Sequence, residues 1–185
     1  MKPRFRGWNA GGPTGYALPM SQPKILAFAG SLRAGSFNKK MVRVAARGAE
    51  AAGAEVVAFD LDAFPLPLFD EDLEARGTPE NALKLRGMML EADGMLIASP
   101  EYNSSVTGAL KNAIDWCSRP CDHNNSGLAA YAGKAATIMA ASTGGLGGLR
   151  GLVHLRAILG NLQMIVLPGQ MALSNAADAF GDEAN

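Results

Sequence analysis

The sequence contains little of what several classes of protein require. Its 185 residues include only two cysteines, Cys117 and Cys121, and two histidines. The C-x3-C spacing lacks the other two ligands of a structural zinc site and differs from the C-x-x-C of a redox pair. So few cysteines are typical of a reducing compartment, and we expect incidental thiols in a cytoplasmic protein without a metal. Because no apolar run approaches the roughly 20 residues of a membrane span, no membrane partner is expected.

The sequence also has no excess of either charge. Its 17 Lys and Arg residues balance 17 Asp and Glu residues, and there is no basic stripe that would bind nucleic acid. Two nucleotide-binding patterns are missing as well. There is no G-x-x-x-x-G-K-[ST], and Arg150 stands where the pair Gly145-x-Gly147 would need the last glycine of a dinucleotide fingerprint. These absences disfavour a P-loop hydrolase and a domain of the G-x-G-x-x-G type.

What is present fits one domain preceded by a tail. Residues 1–23 are rich in glycine and proline and show no periodicity, which predicts a disordered N-terminal extension. Residues 24–185 have the length of a single domain. In that domain five short apolar runs alternate with helical patterns, and the runs cover residues 25–29, 55–59, 94–99, 134–141 and 163–167.

This alternation predicts the fold class. Buried apolar strands joined by helices form a parallel sheet with helices on both faces, an α/β three-layer sandwich. Right-handed crossovers leave few topologies, and five strands suit the flavodoxin-like order 2-1-3-4-5. Residues 171–185 look polar and loop-like, so no helix is expected after the fifth strand. We therefore expect either a truncated chain or a partner subunit that covers this face.

The loop after the first strand carries an anion-binding pattern. Gly30 ends the strand, and the residues up to Asn38 bring several hydroxyl groups but no acidic side chain. Ser36 occupies the N-cap position of the helix predicted to begin at Lys39. Free N–H groups at a helix N-terminus bind phosphate, and nearby hydroxyls donate further hydrogen bonds. The alternative is an ordinary strand-to-helix turn whose serines only cap the helix.

Two further loops follow strands that end at the same edge of the predicted sheet. Residues 100–105 include Tyr102, which could stack beside a planar ring, and residues 142–147 are rich in glycine, so a flat ligand could approach the backbone. In this topology ligands bind outside the carboxyl ends of the strands, at the switch point. An FMN with its phosphate on the first loop and its ring against the other two fits. Alternatively, Tyr102 and Asn103 only build a turn, and the glycine-rich loop is merely flexible.

Three segments carry a resemblance to a known family. GSLRAGSFN at 30–38, PEYNSSVTGALKNAIDW at 100–116 and STGGLGG in the third loop resemble the signature segments of the NADPH-dependent FMN reductase family. The likeness extends over residues 24–169, and two motifs at the right separation make it specific. It implies a flavodoxin-like enzyme with FMN as cofactor and NADPH, or NADH, as co-substrate.

The resemblance also assigns binding residues. The first loop would bind the FMN phosphate, the second would hold the ring and the third would lie against it. No side chain is implied as catalytic, because the flavin N5 carries the hydride. The implied cofactor-binding residues are Ser31, Arg33, Ser36, Phe37 and Asn38 in the first loop, Pro100, Glu101, Tyr102, Asn103 and Ser104 in the second, and Ser142, Thr143, Gly144, Gly145 and Gly147 in the third.

The implied reaction takes hydride from NADPH through bound FMN to a small-molecule acceptor, by a ping-pong cycle. Quinones, azo dyes, chromate and free flavin all stay open as the acceptor. Two alternatives also stay open: a flavodoxin-type electron carrier, which the balanced charge disfavours, and a non-catalytic FMN-binding module on the same fold. His154 is expected to be a packed or surface residue rather than an acid catalyst.

The family implies self-association as well. Its members commonly form dimers or dimers of dimers with the flavin near the subunit contacts, so a homodimer or homotetramer is expected. In the second motif, Lys111, Asn112, Asp115 and Trp116 are assigned to helix packing and the interface rather than to chemistry.

Overall fold

The computed structural model of the protein describes residues 22–120 and 126–181. The predicted N-terminal extension lies almost wholly outside these residues, as do Cys121 and His123. The disordered extension and the incidental thiol at Cys121 therefore stay predictions.

The described residues form one parallel sheet. Its strand order is β2-β1-β3-β4-β5, and a further short strand, β6, also pairs with β4. The predicted order and the α/β fold class are therefore confirmed. The strands are β1 (Lys24–Ala29), β2 (Glu55–Asp60), β3 (Gly94–Ala98), β4 (Ala135–Ala141), β5 (Ile165–Val166) and β6 (Met171–Leu173).

Helices cover both faces of the sheet. One core cluster joins the sheet to α3, α4 and α5, and a second, smaller cluster joins it to α1 and α6. This is the expected three-layer arrangement. The helices are α1 (Phe37–Ala51), α2 (Glu71–Glu74), α3 (Glu80–Glu91), α4 (Gly108–Cys117), α5 (Leu149–Asn161) and α6 (Ala176–Phe180), with short 3₁₀ turns at Leu61–Ala63 and Gly127–Ala130. Within the described ranges, no helix is long and apolar enough to cross a membrane.

The second strand differs from its predicted environment. The apolar run EVVAF suggests a strand buried on both faces, but β2 alternates between exposed and partly buried residues. The reason is topological. The order places β2 at the edge of the sheet, where only β1 pairs with it.

The prediction of a loop-like C-terminal region is wrong. The fifth strand is interrupted, so that β5 pairs with the first half of β4 and β6 with its second half. Arg156 stabilises the interruption by donating to the carbonyl oxygens of Val166 and Leu167, at 3.2 and 2.9 Å. A helix does follow, since α6 packs Phe180 against Phe37 with 6.0 Å between ring centroids. Both elements are too short to show a period in the sequence, and their contacts with β4 and α1 define them.

Candidate functional site

The N-terminus of α1 has the features of an anion site. Ser36 is the N-cap residue, as predicted, but within the described part of the chain its side chain makes no capping hydrogen bond. Its hydroxyl is therefore not committed to the helix, although the residue is only 5% exposed. The first N–H groups of a helix have no intrahelical partners. The hydroxyl and these N–H groups are the donors that a phosphate requires.

The loop before α1 is anchored by the N-terminus of α4. Thr107 Oγ1 donates to the carbonyl oxygen of Gly30 at 2.6 Å and accepts from the N–H of Leu110 at 3.1 Å. The same hydroxyl therefore caps α4 and anchors the first loop. Gly30 must be small here, because a Cβ at that position would lie 2.8 Å from the side chain of Leu110. Thr107 was not among the predicted site residues, although its position before a helical pattern is the sequence signal for a cap.

Asn38 has a different environment from the predicted phosphate contact. Its side-chain amide donates to the carbonyl oxygen of Ala141 and accepts from the N–H of Ala141, both at 2.9 Å. The residue is 3% exposed. Its side chain therefore joins α1 to the end of β4, where the third loop begins. The main-chain N–H of Asn38, in the first turn of α1, is the group that suits an anion.

The second loop is a tight hairpin. Tyr102 and Ser105 exchange backbone hydrogen bonds of 2.9 and 3.0 Å. Asn103 and Ser104 between them have φ values of +50° and +65°. Two consecutive positive φ angles define a type I′ turn, in which glycine normally takes the second place. A turn at Asn103 is one of the alternatives predicted from the sequence, and this turn leaves Tyr102 55% exposed beside the cleft.

The carboxylate of Glu101 binds to the first turn of α5. The carboxylate accepts from the N–H of Gly151 at 3.0 Å, and Arg150 approaches it to 2.8 Å. The hydrogen bond from Gly151, with Arg150 beside it, holds the pKa of Glu101 below its usual range, although burial opposes the shift. Because Gly151 and Arg150 already bind the carboxylate, the predicted contact of Glu101 with a ring would have to come from its backbone.

The glycines of the third loop have different structural roles. Gly147 has a φ of +60°, and a Cβ there would lie 2.7 Å from the backbone of β6, so this glycine is required by packing. Gly144 and Gly145 are different, because a Cβ at either one meets no described atom closer than 3.6 Å. Ser142 Oγ accepts from the N–H of Gly144 at 3.1 Å and shapes the loop. Of these three glycines, only Gly144 and Gly145 leave room for the predicted flat ligand.

The three loops enclose one cleft of about 220 Å³ at the carboxyl ends of the strands. It brings together many of the predicted residues, and Ala141 is an addition that follows from its place at the end of β4. Asn103, Ser104 and the three predicted glycines are not among the residues that line the cleft. The lining residues are Ser31, Arg33, Ser36, Phe37, Asn38, Pro100, Glu101, Tyr102, Ala141, Ser142 and Thr143.

Residues of the second motif support the site from outside. Asn112 accepts from the N–H of Phe69, and its amide donates to the carbonyl oxygen of Pro67. Trp116 donates to the same oxygen at 2.8 Å. Their role in packing, as predicted, is to fix the loop after β2 on α4. His154 is exposed on α5, and its Nδ1 lies 2.9 Å from Ser105 Oγ.

The donors that line the cleft fit the phosphate of FMN. An uncommitted hydroxyl at a helix N-terminus and the cationic Arg33 both suit a phosphate. No group of three His, Cys, Asp or Glu side chains that could hold a metal occurs in the described ranges. The fold defines a flavodoxin-like protein, and the cleft is its candidate site for a flavin mononucleotide.

The chain belongs to the NADPH-dependent FMN reductase family, whose model matches residues 23–178. It is therefore an oxidoreductase that uses FMN with NAD(P)H as electron donor, as the sequence predicted. An NAD(P)H-dependent FMN reductase of Pseudomonas aeruginosa is 38% identical over 158 residues, which are 85% of this chain and 80% of that protein. A quinone reductase of Escherichia coli K12 is 38% identical over 149 residues, 78% of this chain and 73% of that protein.

The fold is also shared with solved structures. FerB, a flavoenzyme NAD(P)H:(acceptor) oxidoreductase from Paracoccus denitrificans, superimposes with a TM-score of 0.73 and 29% sequence identity. The match covers 88% of this chain and 85% of FerB.

Proposed function

We propose that the protein reduces quinones or related planar acceptors with electrons from NAD(P)H, and that donor and acceptor use the same cleft in turn. The observation that carries this proposal is a single cleft built from three loops, with donors for a phosphate at one end and an exposed Tyr102 at the other. The relatives that are named quinone reductases support the acceptor class. A cleft that admits two ligands alternately gives a ping-pong cycle.

The residues of the chain divide the work of binding. Bound FMN supplies the redox chemistry, and the protein binds, orients and surrounds it. In the proposed arrangement the hydroxyls of Ser31 and Ser36 and the first N–H groups of α1 bind the phosphate, with Arg33 as a cationic partner. The backbone of Pro100–Tyr102 and the open positions Gly144 and Gly145 contact the ring.

We also propose that the protein works in the cytoplasm as a homodimer or homotetramer. Leu32 and Leu68, which are 52% and 81% exposed, line a groove of about 310 Å³ beside the N-terminus of α4. A second copy would shield these side chains from water. Light scattering after gel filtration measures the mass, and a monomer at all concentrations would refute the oligomer.

The test of the function is a visible spectrum of the purified protein, repeated after addition of NADPH without oxygen. We expect a flavin spectrum that bleaches with NADPH and returns with a quinone. A flavin spectrum that persists would favour an electron carrier or a binding module. Absence of flavin, even after FMN is added, would refute the assignment of the cleft.

The ping-pong cycle has its own test. Initial rates measured against NADPH at several fixed quinone concentrations should give parallel double-reciprocal lines. Intersecting lines would show that donor and acceptor bind together, and the proposal of one shared cleft would be wrong.

A further inference from the structure

We propose that the first turns of α5 position the second loop, and that Glu101 acts through this helix rather than on the flavin ring. Glu101 and Ser105, at the two ends of the hairpin, are held by Arg150, Gly151 and His154 of α5. This inference rests on the proposed placement of FMN in the cleft. It assigns positioning roles to Glu101, on the wall of the cleft, and to Arg150, Gly151 and His154, which do not line the cleft.

The first contact is at the entry to the hairpin. The carboxylate of Glu101 accepts from the N–H of Gly151 in the first turn of α5, where a helix carries unpaired N–H groups. Arg150 contributes a second, charged contact to the other carboxylate oxygen, Oε1, which lies 3.0 Å from Nε and 2.8 Å from Nη2. The side chain of Glu101 is only 10% exposed. Glu101 therefore caps a helix that is distant in sequence and ties its own loop to it.

The second contact is at the exit from the hairpin. Ser105 Oγ lies 2.9 Å from Nδ1 of His154, which is four residues after Arg150 and so on the same face of α5. The two ends of the hairpin are thus attached to successive turns of one helix.

The third observation is a close approach that leaves little room for a Cβ. A Cβ on Gly151 would lie 3.1 Å from the carbonyl oxygen of Ser105 and 3.3 Å from Cβ of Glu101. The hairpin therefore lies directly on the backbone of α5. Gly160, near the other end of the same helix, has no described atom within 4 Å of such a Cβ.

The hairpin needs this support because its turn is strained. Asn103 and Ser104 both occupy the left-handed region, which costs a non-glycine residue free energy. Such a conformation persists where its surroundings determine it from several sides. The helix that provides this support has Gly148 as its N-cap residue and so begins directly after the third loop. It therefore sets the separation between the second and third loops, the two walls proposed for the ring.

The experiment compares Gly151→Ala with Gly160→Ala in the full chain. Both changes replace a helical glycine of α5 by alanine, but only Gly151→Ala pushes on the hairpin. We expect the dissociation constant of FMN, measured by fluorescence titration, to rise about tenfold in Gly151→Ala, because the overpacked contact displaces the wall proposed for the ring. We also expect an altered visible circular dichroism of the bound flavin. Gly160→Ala should match the wild type in both measurements.

Glu101→Gln and Glu101→Ala test the side chain itself. The glutamine keeps an acceptor for the N–H of Gly151 and should restore most of the circular dichroism signal that the alanine loses. Equal FMN affinity and equal flavin spectra in wild type, Gly151→Ala and Glu101→Ala would overturn the inference and leave the proposed function intact. A wild-type protein that binds no FMN would overturn both.

If Gly151→Ala does not fold, a variant of the exposed His154 tests the positioning role instead. His154→Ala removes one attachment of the hairpin without touching the core. An altered circular dichroism of the bound flavin, with an unchanged melting temperature of the apoprotein, would support the positioning role. An unchanged flavin signal would count against it.

Discussion

The two ends of the cleft are built in different ways. The phosphate end is fixed by buried hydrogen bonds of Asn38 and Thr107, residues that are 3% and 2% exposed. The ring end is a strained hairpin, attached to α5 through an arginine that is 59% exposed and a histidine on the surface. Buried hydrogen bonds are costly to break, whereas exposed ion pairs contribute little. The cleft thus joins a rigid anchor to a more adjustable wall, which suits one site that admits two ligands in turn.

The strongest test of this difference is Asn38→Ala. Removal of the amide leaves the N–H and C=O groups of Ala141 without their side-chain partners, and we expect the free energy of unfolding to fall by about 2–4 kcal/mol. Urea denaturation measures the change. Asn81→Ala, which removes a single exposed hydrogen bond to Pro65, should cost less than about 1 kcal/mol. Equal losses would contradict a rigid phosphate end.

Thr107→Val should have the next largest effect on stability. The change removes the hydroxyl that both anchors Gly30 and caps α4, and we expect a loss of about 1–2 kcal/mol in unfolding free energy. Thr107→Ser keeps the hydroxyl and should retain most of the stability. An unchanged unfolding free energy in Thr107→Val, which keeps the methyl group and lacks only the hydroxyl, would refute the anchoring role.

Gly144→Val tests the ring end. Because the space at Gly144 is open, the protein should fold normally, while the added side chain should weaken FMN binding about tenfold by occupying the proposed place of the ring. Titration of FMN and the shape of its absorption bands measure this. Gly169→Val, at another open glycine between β5 and β6, is the control and should bind FMN as the wild type does. Normal binding by Gly144→Val would refute the placement of the ring.

Ser36→Ala should have a smaller effect, confined to binding. Since no capping bond of Ser36 occurs in the described structure, the unfolding free energy should stay unchanged, while FMN binding weakens about fivefold through loss of one hydrogen bond. Ser126→Ala should behave in the opposite way, because Ser126 Oγ accepts from the N–H of Leu128 and lies outside the cleft. A stability loss in Ser36→Ala would show that the hydroxyl caps α1 after all.

The smallest predicted effect is on pH dependence. Folding lowers the pKa of Glu101 from its ordinary value of 4.5, chiefly through the hydrogen bond from Gly151. The ionised form is therefore favoured by the fold, and its contribution to stability is complete above pH 4.5 and is lost as the pH falls through the lowered pKa. Urea denaturation from pH 7 to pH 3 should show a weaker pH dependence in Glu101→Gln than in the wild type. Identical profiles would mean that the carboxylate is no better stabilised in the folded state.

Most of the fold could be predicted because its evidence is local. Each inner strand is an apolar run bounded by a glycine or a hydroxyl residue, and periodicity marks α1, α4 and α5. The features of the fold that the sequence did not predict share one cause. The burial of β2 depends on its place in the strand order, and β6 and α6 depend on β4 and α1, which lie far away in the sequence. A two- or three-residue strand has no period of its own.

The candidate site shows the same division. The motifs at residues 30–38 and 100–116 and the third loop indicate the family from the sequence alone, because phosphate and flavin sites depend on residue types in short segments. The partners of the individual side chains were not predictable. Asn38 bonds to Ala141, 103 positions later, and Glu101 reaches an N–H group 50 positions later.

The sequence by itself determined the layered fold and, through the resemblance of its motifs, the family and its use of FMN and NAD(P)H. These follow from short-range patterns, in which the chemistry and the backbone conformation of neighbouring residues are enough. Only the tertiary structure decided which groups face the cleft and which hold its walls together. Asn38 and Glu101 look like ligand contacts in the sequence, but burial requires their polar atoms to find partners, and folding places the backbones of β4 and α5 within reach.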